Sequence, residues 1–215
     1  MIRALRAAIS ALCLVPGAAL AGDASYNWCV DNDQDETLFD CSDFGPCSNS
    51  TPFATIQDAL AEAAQQGDAS LHHICVRSAA PHTESFVIDN STGALGTWVR
   101  VEFRMTDQTS YCPGAGSDPA ITVLGGGPNG TQVTLFTVWS DFSGCSEDER
   151  TADFLQVSDA RVELANARLA NLEGDFAVTN PGAQVAVVAS RLERFGGALE
   201  RGAGEFVLDV SEVSG

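Results

Sequence analysis

The chain has 215 residues, no lysine, 11 arginines and 29 acidic residues, for a formal net charge of −18. That balance excludes a phosphate-binding surface of clustered cations, so nucleic acid is not an expected partner. Acidity of this size keeps a protein dissolved and attracts divalent cations.

Residues 1–21 combine basic Arg3 and Arg6, an apolar run from Ala7 to Leu20, and small residues Ala19 and Ala21 framing a cleavage position. This is the three-part pattern of a signal peptide. Pro16 and Gly17 interrupt the run, which falls short of the roughly 20 apolar residues that cross a bilayer, so no membrane span is expected after cleavage. The expected location is therefore secreted: extracellular, periplasmic or on the outer cell surface. Cleavage removes Cys13 and leaves Cys29, Cys41, Cys47, Cys75, Cys112 and Cys145. An even number in an oxidising compartment predicts three disulfides. A zinc site is not expected, because no Cys-x-x-Cys pair occurs and His72, His73 and His82 have no cysteine at ligand spacing. Adjacent His72 and His73 in a strand point to opposite faces.

Residues 22–50 form a Cys/Asp-rich N-terminal segment, in which 26–50 carries too few apolar residues at either period to build a core and reads as a cross-linked cap or loop. Within it, Asp31, Asp33 and Asp35 alternate like the start of a calcium loop, with Leu38 in the eighth place. Glu36 stands where the turn needs glycine, however, and Ser42 where a bidentate acid closes the loop. A plain acidic loop is preferred, with calcium as the competing reading and no other cofactor expected. Next comes a helix over 52–66: Thr51 suits the cap, Pro52 the first helical position and Gly67 the end. Phe53, Ile56, Leu60 and Ala63 share one face.

From Ile74 onward, short alternating segments predict strands at 74–77, 86–89, 98–103, 120–124 and 132–139. Residues 153–215 repeat against themselves. Val162 and Leu164 recur as Val185 and Val187, then as Phe206 and Leu208. Arg168-Leu169 recurs as Arg191-Leu192, then as Glu212-Val213. Phe154, Phe176 and Leu199 lead the three units. A period of about 22 residues with up to three strands per unit predicts a parallel β-helix over 51–215, all-β apart from its capping helix. An antiparallel sandwich does not require such registered recurrence. Upstream the period lengthens: Ile121 to Phe154, Cys112 to Cys145 and Val99 to Val133 are spaced at 33–34 residues, as expected from insertions at 106–118 and 140–151. Cys112 and Cys145 then lie on neighbouring coils about 4.8 Å apart, within disulfide reach, and are predicted to pair. Cys29, Cys41, Cys47 and Cys75 form two further bridges whose connectivity stays open.

The string Cys41-Ser42-Asp43-Phe44-Gly45-Pro46-Cys47, followed by Thr51-Pro52-Phe53-Ala54-Thr55-Ile56-Gln57-Asp58-Ala59-Leu60, Gly67-Asp68, Ile74-Cys75-Val76 and Thr83-Glu84-Ser85, resembles the N-terminal coil of bacterial secreted right-handed β-helix proteins of the pectin-lyase-like superfamily. The resemblance covers residues 41–89 and extends loosely through the repeats. It implies a helix capping the open end of the coil and leaves activity undetermined, since many functions share this architecture.

Enzymes of that superfamily act on acidic polysaccharides. The Asn-x-Asp, Asp-Asp, His-Gly and Arg-x-Lys elements of its hydrolases, which supply paired carboxylates around a glycosidic bond, are absent. For a lyase, Arg100, Arg104, Arg168, Arg191 or Arg194 is a candidate cation and Glu102, Asp107 or Glu163 a candidate carboxylate, but no spacing selects a set. Arg168 and Arg191 should share an outward row with Glu212, their repulsion relieved by Glu193 or Glu163 or by an acidic ligand. No catalytic residue is therefore assigned. The expected function is that of an exported, non-catalytic surface or extracellular module contacting polysaccharide, protein or cell-envelope components. The alternative is a polysaccharide lyase or glycoside hydrolase acting on acidic polysaccharide. No covering helix follows the last coil, which predicts either a truncated reading frame or self-association through that rung.

Overall fold

The computed structural model describes residues 25–32, 46–66, 71–77, 81–104, 111–113, 119–125, 131–145, 153–209 and 211–214. The proposed signal peptide, Cys41, Asp33, Asp35 and Asp107 lie outside them.

The described chain is mostly β with one α-helix. Among the described residues its strands form three sheets in which every strand pairing is parallel. The first sheet holds β1 (Ser25–Asp31), β2 (Leu71–Arg77), β4 (Trp98–Phe103), β6 (Thr131–Phe136), β9 (Ala160–Ala165), β12 (Gln184–Val188) and β15 (Glu205–Asp209). The second holds β7 (Trp139–Asp141), β10 (Arg168–Leu172), β13 (Arg191–Phe195) and β16 (Glu212–Ser214). The third holds β3 (Phe86–Asp89), β5 (Ile121–Leu124), β8 (Leu155–Ser158), β11 (Ala177–Thr179) and β14 (Glu200–Gly202). From β2 to β6 the described strands alternate between the first and third sheets; from β6 onward the chain visits all three sheets in turn and returns to each one strand further along. The repeat registers are those read from the sequence: Val162↔Val185↔Phe206, Leu164↔Val187↔Leu208 and Arg168↔Arg191↔Glu212.

Four expectations need adjusting. Residues 25–31 are not part of a loop: they form β1 and pair along their whole length with β2. Tyr26, Trp28 and Val30 supply an apolar face that the polar residues between them hid from composition. The helix, α1, spans Ile56–Gln66 rather than 52–66. Phe53 is held in an isolated parallel bridge to Val30, donating its N–H to the Cys29 carbonyl and accepting from the Asp31 N–H, so the backbone there cannot turn helical. The span 132–139 splits because Thr137 takes a left-handed conformation (φ 53°). Asn166 (φ 52°) and Ala189 (φ 48°) do the same at equivalent places, each opening a two-residue bend from the first sheet to the second. Finally, Ile121 pairs with Leu155 rather than aligning with Phe154, and β7 runs into the start of the expected insertion at 140–151.

One continuous buried cluster draws on all three sheets and on Ile56, Ala59, Leu60 and Ala63 of α1. Thr55 caps α1 by accepting from the Asp58 N–H at 3.0 Å. The Glu84 carboxylate binds the other end of the same turn, accepting from Ile56 N at 2.5 Å and Gln57 N at 3.2 Å. A negative charge on otherwise unsatisfied N–H groups is stabilising. Glu84→Ala is therefore expected to lower unfolding stability by about 1–2 kcal/mol, read by urea titration. Unchanged stability would mean that α1 docks without this cap.

The inward His72 is fully buried and accepts from Trp28 Nε1 at 3.2 Å through Nδ1. Burial pushes its pKa below the ordinary value of 6.5. A depressed folded pKa means that the neutral ring's contribution is fully present above the unfolded value and is lost as pH falls through it. Stability should therefore decline as pH drops below about 6.5, and His72→Gln should flatten that part of the slope in denaturation at pH 7.5 and 5.5.

Candidate functional site

Alternation along the first sheet aims one residue in two away from the core. Two outward rows run across its middle strands. Trp98, Gln132, Arg161, Gln184 and Glu205 form one; His73, Arg100, Thr134, Glu163, Ala186 and Val207 form the other. A third row brings Cys75, Glu102 and Phe136 alongside. The rows carry hydrogen-bonding groups of both signs on a flat parallel surface.

Trp98 is the exposed aromatic of this face, with 40% of its surface open. Its indole Nε1 donates to Thr134 Oγ1 at 3.1 Å, two residues beyond its in-register partner Gln132 on β6, which fixes the ring across the neighbouring strand. A large apolar ring kept in water but immobilised by its own N–H forgoes burial without gaining mobility, as ligand-stacking aromatics do.

Beside it lies a buried ionic cluster. Glu102 Oε2 meets His73 Nε2 at 3.1 Å and Arg100 NH2 at 3.0 Å, while its Oε1 faces Arg104 Nε at 3.9 Å. The Arg100 guanidinium also sits 4.2 Å from the Phe136 ring centre, within cation–π range. Cys75 Sγ lies 3.6 Å from His73 Nε2. Of the candidate lyase residues, the structure thus brings Arg100, Arg104 and Glu102 together. Glu163 shares the Arg100 row with Thr134 between them. Arg168 and Arg191 belong to the second sheet, as does Arg194.

A carboxylate that orients an imidazole between two guanidinium groups resembles an acid–base pair in chemistry. His73 is fully buried, however, and Glu102 nearly so, which leaves the pair no open face toward a ligand. In this conformation the cluster neutralises charge and anchors Arg100; it does not present a reactive atom.

On the second sheet, Arg168 lies in register between Trp139 and Arg191, and Arg191 pairs with Glu212 as expected. Arg191 Nε also bonds Glu193 at 2.7 Å, so a carboxylate does relieve the row. Burial raises the pKa of Asp141, but hydrogen bonds from Ser143 and Asn171 together with the Arg194 charge outweigh it and hold the carboxyl below its usual range. This is a local turn network around the 3₁₀ segment Phe142–Gly144.

Asp31 ends β1 buried, with its carboxylate 3.8 Å from Arg77, so it belongs to a strand and not to an open loop. Among the described residues, no group of three or more His, Cys, Asp or Glu side chains is arranged to hold a metal. Cys112 and Cys145 are joined, with Cα atoms 5.6 Å apart, and Cys29 is joined to Cys47 at 5.7 Å. Cys75 is also disulfide-bonded, to a partner outside the described residues. No helix among the described residues is long and apolar enough to cross a membrane.

His73 and Trp98 were absent from the residues selected by sequence. The signal for Trp98 was present, because the alternation that turns Val99 and Val101 inward necessarily puts Trp98 on the same face as Arg100. No local pattern links His73 to Glu102, 29 positions apart. No family model, curated protein or solved structure matches the chain.

Proposed function

We propose that this chain is an exported right-handed parallel β-helix, similar to the pectin-lyase-like superfamily, whose flat outward face contacts polysaccharide without transforming it. Support for the coil comes from three parallel sheets, visited in turn from β6 onward, with core residues in register from one repeat to the next. Right-handedness follows from the rule that parallel crossovers take that hand in about 98% of cases. Export is supported by the n-region, apolar run and small-residue cleavage pattern of residues 1–21, together with the disulfides.

The observation that carries the functional reading is the exposed, pinned indole of Trp98 among Gln132, Thr134 and Arg161. A pyranose presents a C–H face to an aromatic ring and a rim of hydroxyls to surrounding amides, hydroxyls and guanidinium groups. Calorimetric titration with a panel of neutral and acidic polysaccharides should reveal a binder, and Trp98→Ala should weaken it at least tenfold, about 1.4 kcal/mol. Binding that survives the substitution unchanged, or no binding across the panel, would remove the basis for this reading.

The second reading, a lyase or hydrolase on acidic polysaccharide, draws on the meeting of Arg100, Arg104 and Glu102 on this face and requires the buried His73–Glu102 pair to open toward a substrate. Release of reducing ends or unsaturated products, abolished by His73→Ala, would replace the first reading with this one.

A further inference from the structure

We propose that the cleft between α1, β1 and the segment 48–53 is a binding site for a small organic ammonium ion, separate from the outward sheet face. The cleft is an open one of about 460 Å³, within the roughly 300–1,000 Å³ typical of small-ligand sites. Three of its lining residues are aromatic: Tyr26, Trp28 and Phe53. Tyr26 and Trp28 lie nearly parallel, with ring centres 5.7 Å apart and an interplanar angle of 16°. Phe53 leans against Trp28 at 60°, with ring centres 6.3 Å apart. The three rings therefore form two walls meeting at an angle.

The electrostatics select the ligand. Among the described residues, Glu62 is the one charged side chain lining the cleft. Its Oε1 accepts from Gln66 Nε2 at 3.3 Å, and among the described residues no cation pairs with it. The other polar groups lining the cleft are neutral, and Asn49 is already committed: its side chain accepts from Cys29 N and donates to the carbonyls of Cys29 and Thr51. An anion would meet an uncompensated carboxylate beside an aromatic lining. An ammonium ion would meet a countercharge beside aromatic rings, the combination used by aromatic cages.

The walls are held rigidly. Phe53 is locked by its two backbone bonds to β1, and the segment before it by the Cys29–Cys47 disulfide and by Ser48 N donating to the Asn27 carbonyl at 2.6 Å. Trp28 is fixed by its bond to His72. A preformed site pays little ordering cost on binding.

The test uses the whole mature chain and two probes of the same shape, choline and its uncharged carbon isostere 3,3-dimethylbutan-1-ol, titrated by calorimetry. Choline should bind saturably and at least tenfold more tightly than the isostere. Glu62→Gln, a half-exposed helix position whose replacement leaves the core untouched, should reduce choline affinity at least fivefold with an unchanged circular dichroism spectrum. Tyr26→Ala should also weaken it, while Trp98→Ala should have no effect. Equal binding of the two probes, retention of affinity in Glu62→Gln, or no saturable heat would each overturn the proposal.

Discussion

Replacing Phe176 by alanine is expected to cost about 3–5 kcal/mol, the largest loss from any single core truncation in the repeat region. Phe176 is fully buried, stacked on Phe154 at 5.7 Å and 16°, and flanked by Phe195 at 6.2 Å and Phe206 at 6.0 Å. It thereby ties together residues from successive turns of the chain. Truncation removes the transfer free energy of the ring and also leaves a hole. The surrounding strands are held in register by parallel ladders and cannot collapse into it. Because neighbouring strands in such a stack support chiefly one another, the loss should be local in character as well as large. Urea titration of the variant should show a lowered midpoint, and hydrogen exchange should show faster opening of amides in 153–209 than in 71–104. A loss below 1 kcal/mol would mean that the aromatic column does not carry the packing energy of this region.

The repeat made this half of the fold legible. Val162, Val185 and Phe206 occupy one inward position on three adjacent strands, and any sequence in which a core position recurs at a constant interval declares a stack. The upstream half was less legible because the residues that lengthen each turn obey no pattern. The register of Ile121 consequently slipped by one position. β1 was hidden for a different reason. Its inward residues Tyr26, Trp28 and Val30 alternate with Asn27, Cys29 and Asp31, and the polar and cysteine signals of the flanking chain outweighed three apolar residues. The start of α1 was misread because Thr51 and Pro52 do form a good local cap signal. The bridge from Phe53 to β1 overrides it, and a long-range bond from Glu84 supplies the cap instead. The outward face was readable only as alternation. Arg100, Glu102 and Arg104 stand two positions apart, so alternation alone brings them together, whereas His73 reaches Glu102 across 29 positions through a register that no motif encodes.

The same register sets the consequence of removing Glu102. Glu102→Ala is expected to destabilise the fold by about 3–5 kcal/mol, because it strips the carboxylate from His73 and Arg100 while both remain held against the sheet. His73 is fully buried and cannot turn to water; Arg100 keeps its ring contact with Phe136 but loses the Glu102 carboxylate. Arg104, with 39% of its side chain exposed, can be solvated and should contribute little. Coupling is the decisive quantity. If His73 and Glu102 act as a pair, adding His73→Ala to Glu102→Ala should cost at least about 1 kcal/mol less than His73→Ala does alone, since its partner is already gone. A double-mutant cycle by urea titration measures this directly. Additive losses would show that the two side chains are independent, and the ionic cluster would then be no unit at all. The cycle also separates the two readings of the sheet face. A structural cluster predicts that polysaccharide binding in Glu102→Ala weakens only as far as Arg100 and the neighbouring Trp98 platform loosen. A catalytic one predicts product formation in the parent chain that disappears in Glu102→Ala under conditions where the variant is still folded.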